Sequence, residues 1–263
     1  MIDISAIFSP LLSMFSQNWY ILPIVLIILF FRTPYGKGLL GEMLVNLAVN
    51  IRLDKGKYHL IKNVTLPTED GTTQIDHIVV SEFGIFVIET KNMKGWIFGG
   101  EKQKTWTQKI YKHTSKFQNP LHQNYKHAKT IESTLNIDHN KVFSVVVFVG
   151  DSTFKTEMPE NVTYAGGLIN YIKSKTEKVL SPNEVEKITS IIESGRLSRT
   201  LKTHREHVKH VRNIVKEKQN GNSCPKCGSE LVLRVAKQGA NKGNKFYGCS
   251  SYPKCRHTAL ANI

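Results

Sequence analysis

No cysteine occurs before residue 224 of this 263-residue chain. Four cysteines confined to the last forty residues do not make a disulfide-stapled secreted fold. They suit a reducing compartment and one local metal site. Charge is missing between Ile4 and Phe31, and no Lys or Arg precedes Arg32. A cleaved secretory signal needs a basic start and a small-residue cleavage site, and neither is present. Acidic residues are scarce, with 21 Asp and Glu against 36 Lys and Arg for a net charge of +15. Between residues 194 and 263, fifteen Lys and Arg stand against three Asp and Glu. So basic a segment attracts polyanions, either nucleic acid or an anionic membrane surface. Hydrophobic residues make up 40% and charged residues 22%, which excludes wholesale disorder. The length admits one sizeable domain and a small one.

The uncharged N-terminal stretch is continuously apolar from Trp19 to Phe31. A spanning helix needs roughly 20 residues, which the stretch reaches only by including Ile7 to Phe15. The reading is a single-pass anchor over residues 1–34, with Trp19 and Tyr20 at the headgroups. Arg32 and Lys37 then place the bulk of the chain on the cytoplasmic side of the cell membrane. A buried helix is the competing reading.

From Gly38 to Ile51, apolar residues at 40, 44, 47, 48 and 51 predict a helix packing that stripe on a sheet. Tyr58–Leu66 reads as a strand, ended by Pro67 and Glu69-Asp70-Gly71. Thr73–Val80 and Ile85–Lys91 read as a hairpin of buried central strands. Asp76, Glu89 and Lys91 break its apolar pattern. Buried charges cost several kcal/mol unless paired or bound to metal. Glu89 and Lys91, two apart, share a strand face. If the loop is Glu82-Phe83, Asp76 lies opposite Glu89; a bulge at Gly84 would shift that register by one. Two carboxylates beside one ammonium can hold Mg²⁺ or Mn²⁺ together with a substrate phosphate. A lysine there can orient water or stabilise charge on phosphate. A buried ion pair without chemistry would also satisfy these residue types.

Asp76 followed by Glu89-Thr-Lys91 resembles the Asp…Glu-x-Lys signature of the PD-(D/E)xK nuclease superfamily. The longer string is more specific: Gly41-Glu42, Gln74–Val80, Gly84–Lys91, Gly95, then Asn119-Pro-x-x-Gln-Asn124. It resembles the nuclease-related domain (NERD) family over residues 38–150. The resemblance implies an α/β fold, a restriction-endonuclease-like mixed sheet flanked by helices. It also implies Asp76 and Glu89 as metal ligands, Lys91 as the catalytic lysine, and Glu42 as a helix acid completing the site. Gln123 joins them through the resemblance. His127, one turn on, either supports the site or is surface-polar. Trp96 and Trp106 read as packing residues. Val142–Val149 reads as a further buried strand, and 167–174 as a helix.

A basic helical linker is expected over 179–221. Its His204, His207 and His210 read as solvated. Cys224-Pro-Lys-Cys227, then Cys249 and Cys255, offer four thiolates in two pairs, suited to tetrahedral Zn²⁺. A redox dithiol would need no second pair. The module, residues 222–263, resembles the C-terminal zinc ribbon of type IA topoisomerases, which implies binding of single-stranded DNA. Phe246, Tyr247 and Tyr252 can stack bases, while Lys226, Arg234, Lys242, Lys245, Lys254 and Arg256 can meet phosphates. Some aromatics must form the tiny core. No topoisomerase catalytic region accompanies it. The expected whole is a membrane-anchored deoxyribonuclease with its catalytic domain over 35–178. The alternatives are a catalytically silent nucleic-acid binder and a lipid-bound adaptor.

Overall fold

The computed structural model describes Asn18, residues 20–68 and 71–197, Val208, and in the C-terminal module residues 224, 227, 229–236 and 243–260. Several expectations fall outside the described residues: the anchor's first part with Trp19, the three linker histidines, Lys226 and Lys242. The chain forms two compact units, 1–197 and 198–263.

The first unit opens with α1 (Ile21–Arg32) and α2 (Pro34–Arg52), which meet at 86°. The break has a local cause. Thr33 is extended, its side chain accepts from Gly36 N, and Pro34 occupies the first helical turn. No single described helix is long and apolar enough to cross a membrane. Among the described residues the expected anchor is a 12-residue apolar helix bent away at Thr33, and its earlier part lies outside them.

The expected helical period over Gly38–Ile51 is found, but its burial is reversed. Gly36, Gly41, Val45 and Val49 are the buried residues of α2, whereas Leu44, Leu47 and Ile51 are exposed. The narrow i, i+4 line of Gly41, Val45 and Val49 brings the helix close to the sheet, and the large side chains are turned out.

Strands β1 (Tyr58–Thr68), β2 (Gly71–Ser81) and β3 (Gly84–Asn92) form an antiparallel meander. Next come β4 (Gly95–Phe98), β5 (Thr105–Ile110) and β6 (His113–Gln118), then α3 (Pro120–Leu135) and β7 (Val142–Val149). The unit closes with β8 (Ser152–Phe154), β9 (Val162–Tyr164), α4 (Ala165–Ser174) and α5 (Pro182–Gly195). The main sheet has the order β1-β2-β3-β7-β9, and β3, β7 and β9 run parallel. It is the mixed sheet flanked by helices that the sequence implied.

Side-chain alternation makes two cores. Ile85 and Val87 of β3 pack with Ile131 of α3 and with Val185, Ile188 and Ile192 of α5. Phe86 and Ile88 pack with Val45 and Val49 of α2 and with Leu168 and Ile172 of α4. Each fully buried side chain of this kind contributes about 1.5–3 kcal/mol. Several such contributions offset the cost of a few buried charges. Helix α5, expected to begin the linker, belongs to the first core, and the unit runs to 197 rather than 178. Its amphipathic apolar face is what the basic composition downstream concealed.

A second sheet, β6-β5-β4-β8, was not anticipated. Its strands are short and polar in alternation, a weak signal. Trp106 is fully buried there, as expected of a packing residue. Trp96 is 47% exposed, with Lys109 and Lys155 over its ring, so the packing expectation fails for it.

The second unit contains β10 (Leu231–Val235), β11 (Lys245–Cys249) and β12 (Thr258–Leu260), an antiparallel three-stranded sheet.

Candidate functional site

The β2–β3 loop is Glu82-Phe83, since Ser81 pairs with Gly84, whose φ of +126° an L side chain rarely adopts. His77 pairs with Ile88, and one further step sets Asp76 across from Glu89. No slip occurs. Asp76 Oδ2 accepts a hydrogen bond from the Thr90 backbone N at 2.8 Å. Lys91 Nζ donates to Glu89 Oε1 at 2.6 Å and to Gln123 Oε1 at 3.0 Å.

Helix α3 brings in the polar partners from one face. The Asn119 side chain caps its start and donates to the carbonyls of Gly100, Glu101 and Gln103. Pro120 follows in the first turn, where a missing N–H costs nothing. Asn124, fully buried, donates to the carbonyls of Val87 and Val145, which fixes the helix against β3 and β7. Gln123 then meets Lys91, and His127 meets Glu89. His127 Nε2 stands 3.3 Å from Glu89 Oε2, and its Nδ1 shares a 2.7 Å hydrogen bond with Thr73 Oγ1. The 3.3 Å approach is an electrostatic contact. Neither atom completes a hydrogen bond among the described residues.

Glu42 approaches from α2. A Cβ on the preceding Gly41 would lie 2.9 Å from Val149 Cγ2 and 3.1 Å from Asn92 Cβ. Glycine is what lets the helix seat this closely. Glu42 is half-buried; the nearby Asn63 side chain favours its charged form and the Glu89 charge opposes it. Asn63 has a φ of 49°, and the β1–β2 pairing skips it, opposite Asp76.

The electrostatics are those of a crowded acid site. Burial, and then the Glu89 charge, push the Asp76 carboxyl well above the usual range, and the Thr90 N–H offsets only part of this. Burial also opposes the Glu89 carboxylate. His127 and the Lys91 ammonium outweigh it and hold Glu89 below the usual range. Burial chiefly raises Glu42 as well. A divalent cation would neutralise this repulsion. The donor set fits one: hard oxygens on Asp76 and Glu89, with Glu89 Oε2 lacking a hydrogen-bond partner. The three carboxylates do not form a closed cage. The four cysteines are the single group of three or more acidic, His or Cys ligands gathered within 4.8 Å among the described residues.

His77, adjacent to Asp76, points to the other side of the sheet. It is fully buried, and burial pushes it down to about 4. Its neutral form is the stable one. This stability is complete above the unfolded value of about 6.5 and is lost as pH falls toward about 4. The loss across that window should be about 3 kcal/mol. Urea melts of His77→Gln should lack this slope relative to the wild type. A parallel pH dependence in the two proteins would refute the assignment.

In the second unit, Cys224 Sγ lies 3.7 Å from Cys255 Sγ, and Cys227 Sγ lies 3.3 Å from Cys249 Sγ. Zn–S bonds of about 2.3 Å in a tetrahedron place sulfurs about 3.8 Å apart. The cage suits Zn²⁺. The backbone N–H of Ser229 pulls the Cys227 thiol down to about 6, and burial pushes Cys249 up to about 12. Four thiols this close cannot all ionise without a cation. Leu231, Tyr247 and Ala259 pack around the sulfurs. Arg234, Phe246, Tyr252 and Arg256 line a hollow of about 250 Å³ that also reaches Cys249 and Cys255. Tyr252 is exposed, and Arg234 lies 5.9 Å from its ring centroid.

Residues 37–149 match the nuclease-related domain model, and residues 221–262 match that of the topoisomerase DNA binding C4 zinc finger. An uncharacterized protein of Bacillus anthracis is 40% identical over 188 residues, covering 69% of this chain and 87% of that one. The chain belongs to the nuclease-related domain family. The ribbon has relatives of its own. DNA topoisomerase 1 of Methanocaldococcus jannaschii is 46% identical over 48 residues, 18% of this chain and 6% of the topoisomerase. An uncharacterized protein of Escherichia coli is 54% identical over 37 residues, 14% of this chain and 18% of that one.

Within the nuclease-related domain, Asp76, Glu89, Lys91 and Gln123 form one connected cluster, with Glu42 in electrostatic reach. Of the ribbon residues, Phe246, Tyr252 and Arg256 share the hollow. Tyr247 turns to the cysteine core, and Lys254 is exposed. Sequence reasoning left His127 undecided and did not find Thr73 or Asn63. The one available signal for His127 was its spacing of four from Gln123. Thr73 and Asn63 carry no such signal.

Proposed function

We propose that the nuclease-related domain is a Mg²⁺- or Mn²⁺-dependent deoxyribonuclease centre, to which the zinc ribbon brings single-stranded DNA. One observation carries the reading: Lys91 is held between Glu89 and Gln123, in electrostatic reach of Asp76. Asp76 and Glu89 would hold the cation, which would polarise the phosphodiester and lower the pKa of a bound water. The Lys91 ammonium, 22% exposed, donates to a phosphate oxygen as charge develops there. Gln123 and His127 fix Lys91 and Glu89 so that neither must reorganise. Trp96 with Lys109 and Lys155 extends a basic, aromatic surface suited to nucleic acid. In the ribbon, the hollow lined by Arg234, Phe246 and Tyr252 suits an unstacked base.

The apolar N-terminal segment holds the protein at the cell membrane, with the bulk of the chain on the cytoplasmic side. In support, α1 buries none of its residues, and Arg32 and Lys37 follow it.

The full chain should cleave circular single-stranded DNA with Mg²⁺ or Mn²⁺, and duplex DNA and RNA more slowly. Lys91→Ala should lose about 10²–10³-fold, the usual cost of removing a group that stabilises transition-state charge. Equal rates for the wild type and Lys91→Ala would sink the enzyme reading. They would leave a catalytically silent DNA binder, a reading in which Glu89 serves as the ion-pair partner of Lys91 and His127.

A further inference from the structure

The outward stripe of α2 is too apolar for water. Met43, Leu44, Leu47 and Ile51 are 52%, 49%, 56% and 69% exposed, with Leu40 half-buried on the same line. The stripe does not end at the helix. Gly36 continues it four residues earlier, and there the backbone of Phe30 and Phe31 abuts α2, since a Cβ on Gly36 would lie 2.2 Å from Phe30 O. Helix α1 therefore leaves from the stripe's own side of α2. It is apolar on every side, with residues 24–30 all more than 40% exposed.

A helix apolar all round belongs in lipid or in a core, and no residue of α1 is buried among the described residues. With α1 along the membrane normal, the 86° bend lays α2 almost flat in the membrane plane. A second copy of the chain would need one matching face on α1, and α1 has no polar face to exclude. Basic residues mark both ends of the stripe: Arg32 and Lys37 at one, and exposed Arg52, Lys55 and Lys57 at the other. Their sign complements anionic headgroups.

We propose that the outer face of α2 is submerged in the headgroup–acyl boundary of the same bilayer that receives α1. This rests on the membrane reading above and adds a second, in-plane contact that the anchor alone does not require. Glu42 lies on α2 itself, so the carboxylate cluster is held at the lipid surface rather than free on a tether.

The full chain carrying a benzophenone side chain at Leu44 or Leu47 should be reconstituted into phosphatidylethanolamine–phosphatidylglycerol vesicles and irradiated. Lipid adducts are expected at both positions, several-fold above those from the same probe at Tyr111, which is 93% exposed on the second sheet. Adducts to another copy of the chain, or to its own residues 1–20, would overturn the proposal. Vesicle flotation after a carbonate wash separates the two claims. Protein that floats without lipid adducts refutes the α2 contact and keeps the anchor, whereas protein that does not float refutes both. Leu44→Glu with Leu47→Glu should leave melting in detergent unchanged. Collapse of that transition would show the face to be a core and defeat the proposal.

Discussion

Asp76→Asn is expected to melt higher than the wild type in chelator while losing all cation-dependent cleavage. In the folded chain the Asp76 carboxyl is buried beside the Glu89 charge, and both effects penalise its ionised form. Asparagine keeps the oxygen that accepts from Thr90 N and removes the charge. Relieving such a penalty typically stabilises by 0.5–2 kcal/mol, or about 1–8 °C for a unit of this size. The sign follows from linkage. A raised folded pKa means that the penalty is complete above that value and vanishes as pH falls through it toward the ordinary carboxylate range. The gap between variant and wild type should therefore shrink on acidification. Mn²⁺ should reverse the order of melting at neutral pH. It binds the wild type, adding about 2.7 kcal/mol at a hundredfold excess over Kd, and does not bind the variant. Scanning calorimetry with and without Mn²⁺ measures both effects. A variant that melts lower in chelator would show that the Asp76 charge is structural.

Zinc removal is the second large effect. The described core of the ribbon is Leu231 with three buried cysteines, padded by Tyr247 and Ala259. That is far too little apolar surface to order a module of this length. Structural Zn²⁺ supplies about 10–16 kcal/mol of apparent binding energy in comparable small modules. Cys224→Ser should therefore lose the bound zinc, expected at one per chain, and the β10–β12 sheet with it. Single-stranded DNA affinity should fall strongly, while the melting of residues 1–197 should stay put, because they have their own cores. Metal analysis and DNA titration report the two halves independently. A full zinc complement in Cys224→Ser would refute the four-sulfur site.

The hairpin could be read from sequence because several signals agree at one place. β-branched runs, a two-residue loop and Gly84 together fix the register that faces Asp76 with Glu89. The ribbon was equally legible, since cysteine spacing nearly dictates a tetrahedron. The α2 stripe misled for a physical reason. A period of 3.6 says that a face is apolar, but not whether core or lipid will receive it. The face that enters the core is built from Gly41, Val45 and Val49, too small to stand out. The second sheet was missed because three- to six-residue strands with polar alternation resemble loops. His127 was ambiguous because its value lies in contacts with Thr73 and Glu89, 54 and 38 positions away in the chain.

Gly41 offers geneticists a handle. Since even one methyl at that position would strike the end of β7, a small apolar replacement should lever Glu42 outward without altering any ionisable group or either apolar surface. On the function proposed above, a cell carrying such an allele would keep the protein in place and still able to grip DNA. Phenotypes of cutting could then be separated from phenotypes of presence.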